Sequence, residues 1–91
     1  MLKGKNAIIT GANRGIGLET VKVFARQGAT IWACARKENN EFERVLKEIA
    51  ESCETDITPI YFDVTDEIAT KDAIKLIGKE ANAIDILVNN A

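Results

Sequence analysis

Histidine is absent from the 91 residues, and cysteine occurs only twice, as Cys34 and Cys53. Without imidazole, and with two widely separated thiols that form no C-x-x-C, zinc and other transition-metal sites lose their usual ligands. Both cysteines read as small, reduced, mostly buried residues of a cytoplasmic protein. Basic excess is missing as well: 14 acids stand against 12 bases, a net charge of −2. That balance excludes a general nucleic-acid binder, which needs a cationic surface for phosphates. No apolar run approaches the length of a membrane span, and the opening MLKGKNAIIT turns polar too soon for a signal peptide. Proline appears once, at Pro59, and there are no repeats, linkers or low-complexity stretches. The chain is therefore expected to be one small domain at most, or part of one.

Apolar residues, at 46 %, are plentiful enough for a core. NAIITG, ATIWACA, ITPIYFDV and IDILVNN are short, β-rich and mostly apolar, as strands covered on both faces should be. Three segments of helical period lie between them. Residues 15–27 bring Ile16, Val21, Phe24 and Ala25 toward one face. Phe42, Val45, Leu46, Ile49, Ala50 and Cys53 follow helical spacing closely, and Ala69, Ala73, Leu76, Ile77 and Ala81 form the third set. Asn40 with Glu43 reads as a capping box, and Thr65 as an N-cap followed by Asp66 and Glu67. Pro59 is expected at the start of its strand, where a missing N–H costs least. The order β-α-β-α-β-α-β favours a parallel sheet with helices on its faces.

Directly after the first strand comes TGANRGIG, residues 10–17, with three glycines in eight positions. Gly11 allows a tight turn, Gly15 lets a diphosphate approach the backbone, and Gly17 lets the next helix pack on the sheet. The helix N-terminus then offers free N–H groups and its positive dipole end to the anion. The spacing is G-x-x-x-G-x-G, and Leu18 follows Gly17, so the Gly-Lys-Ser/Thr of a P-loop is absent. A glycine loop serving only tight packing is the plain alternative.

TGANRGIG, Asp63-Val64 and the closing LVNNA, taken in order and at strand ends, resemble the classical short-chain dehydrogenase/reductase family. The tone is that of the 3-oxoacyl-[acyl-carrier-protein] reductase branch. The resemblance implies a Rossmann-type parallel sheet, strand order 3-2-1-4, with helices on both faces. It makes residues 1–91 the N-terminal portion of a single dinucleotide-binding domain. It also implies that Asp63 accepts from the adenine amino group and that Val64 packs beside the ring. Asn89 would support the sheet, Ala91 would admit the nicotinamide-side ribose, and Asn13 and Ile16 would offer backbone groups around the pyrophosphate.

The residue pattern favours NADP(H) over NAD(H). The second strand ends in ACARKE, placing Ala35 where an NAD site usually carries an acid. Arg36, Lys37 and Arg14 would converge on a 2′-phosphate with no carboxylate facing them. The bland alternative leaves Arg36 and Lys37 as solvated charges.

Family members use Ser, Tyr and Lys for catalysis, and this chain has no Tyr-x-x-x-Lys: its only tyrosine is Tyr61, with Thr65 four residues on. Its only serine is Ser52. The expectation is an NADP(H)-dependent carbonyl/alcohol oxidoreductase whose catalytic and substrate-binding residues lie outside this segment. The segment alone would be inactive, and the parent a homo-oligomer, dimer or tetramer, without nucleic-acid or membrane partners. Two alternatives are a non-catalytic dinucleotide-binding module and an interaction module pairing through an open sheet edge.

Overall fold

The strand from Thr30 to Ala35 divides its side chains between two cores, because successive residues of a strand point to opposite faces. A computed structural model describes residues 1–90. Its elements run β1 (Asn6–Ile9), α1 (Gly15–Arg26), β2 (Thr30–Ala35), α2 (Asn40–Cys53), β3 (Ile57–Tyr61), α3 (Glu67–Ala81) and β4 (Ile86–Val88). The strands form one parallel sheet in the order β3-β2-β1-β4.

On one face Ile31, Ala33 and Ala35 of β2 meet Ile9 of β1, Val21 and Ala25 of α1, and Phe42 and Leu46 of α2. On the other, Trp32 and Cys34 join Ile8 with Ile77 and Ala81 of α3. The helices thus cover both faces, two against one. Ile9, Ile31, Leu46 and Ile77 are fully buried, each worth about 1.5–3 kcal/mol of transfer free energy.

Several local expectations shift. The α2 cap is Asn39, one residue before Asn40, and its side chain accepts from the Phe42 amide at 3.1 Å. The Glu43 carboxylate does not close the box; it accepts from the Tyr61 hydroxyl at 2.7 Å. Asp66 rather than Thr65 caps α3, accepting from the Ala69 amide at 3.0 Å. The Thr65 hydroxyl is occupied with Asp63. Pro59 stands inside β3, in register with Ala33. The strand tolerates it because β3 is at the sheet's edge, where only one neighbour needs hydrogen bonds. Ile16 and Leu76 lie outside the buried faces of their helices, at 77 % and 50 % exposed. Cys34 is buried as expected, while Cys53 is only partly covered.

Candidate functional site

Between β1 and α1 the chain reverses at Gly11, and the Ala12 amide donates to the Cys34 carbonyl at 2.9 Å. That bond ties the turn to the carboxyl end of β2. A Cβ on Gly17 would lie 1.9 Å from the Gly11 carbonyl oxygen, so the first turn of α1 rests directly on the preceding backbone. Gly15 has φ +58, a conformation that L side chains rarely adopt, and nothing lies within 4 Å of where its Cβ would be. Space at Gly15 and contact at Gly17 are the two properties a backbone-lined anion cradle needs.

The three helix N-termini differ. α2 and α3 have side-chain caps, Asn39 and Asp66, and acids in their first turns. α1 has neither: Arg14 precedes it in extended conformation with no side-chain cap bond, and its first turn holds no acid. Its positive dipole end and free amides are therefore left open to an external anion.

This end of α1 opens on a cleft of about 1040 Å³ at the carboxyl ends of the strands. Gly11, Asn13, Arg14, Gly15, Ile16, Gly17, Arg36, Lys37, Asp63 and Val64 all line it, so one concavity gathers nearly every residue singled out in the sequence. Asn89 is not among the lining residues; Asn90 is. Ala91 lies outside the described residues. A groove of similar size, about 1090 Å³, runs past Asn6, Thr30 and Glu80 at the other end of the sheet. Ligands of open α/β sheets bind at the carboxyl ends, where strand order reverses. Here that point is β1, between β2 and β4.

One electrostatic expectation is overturned. A carboxylate does face Arg36: its Nη2 lies 3.4 Å from Asp63 Oδ2. The pairing follows from register, since Ala35 is aligned with Tyr61 and the Phe62 amide donates to the Ala35 carbonyl at 3.0 Å. The chain thus leaves β2 and β3 side by side. The other oxygen, Asp63 Oδ1, accepts from the Thr65 hydroxyl at 2.7 Å and the Thr65 amide at 2.9 Å. These two hydrogen bonds hold the Asp63 carboxyl below its ordinary range, and the nearby Arg36 charge adds to them.

At the far end of the cleft, Thr10 joins β1 to the residues after β4. Its hydroxyl donates to Asn89 Oδ1 at 3.0 Å and accepts from the Asn90 amide at 3.0 Å. Asn89 thus links the residues after β4 to the end of β1. Tyr61 is not among the lining residues; its ring packs edge-on against Phe42, at 6.3 Å between centroids. Glu38 is also outside the lining.

Sequence reading missed Cys34, Asn39, Phe62 and Thr65 as cleft residues. Asn39 and Thr65 could have been found as polar residues just past strand ends. Cys34, inside β2, and Phe62, just past β3, carry no such signal, because both read as apolar core residues. Burial pushes the Cys34 thiol up to about 12, which leaves it protonated and inert at neutral pH.

A parallel 3-2-1-4 sheet with a glycine turn and an uncapped helix end at its switch point defines a Rossmann-type α/β protein. The sequence model of the short chain dehydrogenase family matches residues 5–91, and the chain belongs to that family. It is 38 % identical over 90 residues to the 3-oxoacyl-[acyl-carrier-protein] reductase FabG of Thermotoga maritima, covering 99 % of this chain and 36 % of that protein. The crystal structure of L-sorbose reductase from Gluconobacter frateurii, complexed with NADPH and L-sorbose, superposes with a TM-score of 0.89 at 30 % identity. That match covers 99 % of this chain and 34 % of the reductase. Carveol dehydrogenase from Mycobacterium avium, in complex with NAD, gives a TM-score of 0.85 at 27 % identity, with 99 % and 36 % coverage. The chain spans about a third of the length of these relatives.

Proposed function

We propose that residues 1–91 form the N-terminal portion of a single dinucleotide-binding domain in an NADP(H)-dependent oxidoreductase. The reaction is hydride transfer between nicotinamide and a carbonyl/alcohol pair, with a 3-oxoacyl thioester as one candidate substrate. The observation that carries the reading is the N-terminus of α1, bare of cap and acid, beside open space at Gly15. A diphosphate fits that cradle. Asp63 and Val64 would hold the adenine, Asn89 would support the sheet, and Ala91 would admit the nicotinamide-side ribose. Bound there, the nicotinamide would supply the hydride.

The preference for NADP(H) rests on the charge at the adenosine end. Arg14, Arg36 and Lys37 line the cleft with Asp63 as the acid among its lining residues, which leaves a positive excess for a 2′-phosphate. L-sorbose reductase, bound to NADPH, and carveol dehydrogenase, bound to NAD, show that relatives of this fold take either cofactor. Titrating the chain with NADPH and NADH tests the preference. NADPH should bind about tenfold more tightly, the worth of one charge-assisted contact, and Arg36→Ala should erase most of that difference. Equal affinities in the wild type would end the NADP(H) assignment, and binding of neither would end the reading.

The parent enzyme is proposed to be a homo-oligomer without nucleic-acid or membrane partners. Among the described residues, no helix is long and apolar enough to cross a membrane. The segment alone is proposed to be inactive, because its one tyrosine donates to Glu43 away from the cleft.

One observation favours a second reading, an interaction module. β4 is the last strand of the described sheet, and Leu87 on it is 59 % exposed. That reading predicts concentration-dependent association and no thermal shift with NADPH.

A further inference from the structure

The Arg36–Asp63 pair has a consequence for cofactor choice. Arg36 is 74 % exposed and Asp63 35 % exposed, so the pair stands at the cleft surface, where either partner can exchange for solvent or ligand. The two ends of the pair are held unequally. Asp63 is fixed by two hydrogen bonds from Thr65, whereas among the described residues the ion pair is the only polar contact of the Arg36 side chain. The carboxylate is therefore the anchor, and the guanidinium is the mobile partner it retains.

We propose that Asp63 is a specificity-determining, positioning residue that acts through Arg36. Its carboxylate is the resting counter-ion of the guanidinium and competes with a ribose 2′-phosphate for it. The proposal rests on the 2′-phosphate reading above. A dinucleotide without that phosphate leaves the pair intact. One that carries it must draw Arg36 away from Asp63 or accept a carboxylate beside a phosphate of nearly two negative charges. The cost falls on the phosphorylated ligand alone, so Asp63 narrows the preference that Arg36, Lys37 and Arg14 create. An acid after β3 thereby modulates a choice usually assigned to the end of β2.

Asp63→Asn is the informative variant. It removes the charge and keeps an oxygen that accepts from Thr65 and from an adenine amino group. Circular dichroism and thermal melting, compared with wild type, establish that it folds. The probes are 2′,5′-ADP and 5′-AMP, which differ only by the 2′-phosphate, titrated by NMR into the chain. In Asp63→Asn the affinity ratio of 2′,5′-ADP to 5′-AMP should rise about two- to fivefold, the range expected for an exposed ion pair. In an Arg36→Ala background the same substitution should raise the ratio by less than half as much. A ratio unchanged or lowered by Asp63→Asn overturns the proposal, as does an equal gain with and without Arg36. Asp63→Ser, also neutral and able to accept from Thr65, repeats the test if the asparagine variant fails to fold. Failure of the dinucleotide reading shows separately, as loss of NADPH and NADH binding by the wild type.

Discussion

A Cβ placed on Gly17 would come within 1.9 Å of the Gly11 carbonyl oxygen, and 2.7 Å of its carbon. No rotamer relieves that overlap, because both atoms belong to backbone. Gly17→Ala must therefore push α1 off the turn, at a cost of about 2 kcal/mol or more, despite alanine's better helix propensity. Gly15→Ala meets no neighbour but must adopt φ +58, which costs about 1–2 kcal/mol. Urea unfolding should rank Gly17→Ala below Gly15→Ala, and both below the wild type.

Thr10 is 7 % exposed, and its hydroxyl serves Val88, Asn89 and Asn90 across the sheet. Thr10→Val keeps the shape and leaves the Asn90 amide without that acceptor. The expected loss is about 0.5–1.5 kcal/mol, the net worth of a hydrogen bond that water can partly replace. Amide exchange at Asn90 should quicken more than exchange within β2, which the substitution does not touch.

The two thiols should react at very different rates. Cys34 is 1 % exposed, and burial pushes it up to about 12. Cys53 is only partly covered at the end of α2. Ellman's reagent at neutral pH should label Cys53 in the native chain and Cys34 only on denaturation. Rapid labelling of both would contradict the burial of Cys34 in the cluster with Ile8 and Ile77.

Alkaline titration reports on Tyr61, the single tyrosine. Burial raises its phenol above the ordinary value, and the hydrogen bond to Glu43 adds to the shift. A group raised in the folded state contributes stability that is fully present below its unfolded value, about 10 for tyrosine. That contribution is lost as pH climbs through the folded value, and Cys34 acts in the same direction up to about 12. Tyr61→Phe should flatten the alkaline decline in melting temperature. Tyrosinate absorbance in Glu43→Gln should move toward the ordinary midpoint.

Much of the architecture was legible in the residues themselves. Hydrophobic periods of two and of 3.6, and the bare turn at residues 10–17, are local properties of a chain. They located the seven elements and the N-terminus of α1 closely, and the motifs in order marked most of the cleft. Helix caps were read a position off at Asn40 and Thr65. Adjacent polar residues compete for the same amides, and partners brought in from β3 and its exit occupy two of the expected groups: Tyr61 engages Glu43, and Asp63 engages Thr65.

The sequence by itself determined that a glycine turn would join the first strand to a helix, because both features depend on neighbouring residues alone. Only the tertiary structure decided that Arg36 meets Asp63 and that Thr10 meets Asn89. Those partners are far apart in the chain, and the register between parallel strands brings them together: Ala35 beside Tyr61, Ile9 beside Val88. Register is set by packing across the whole sheet, so charge balance at the cleft is a property of the fold.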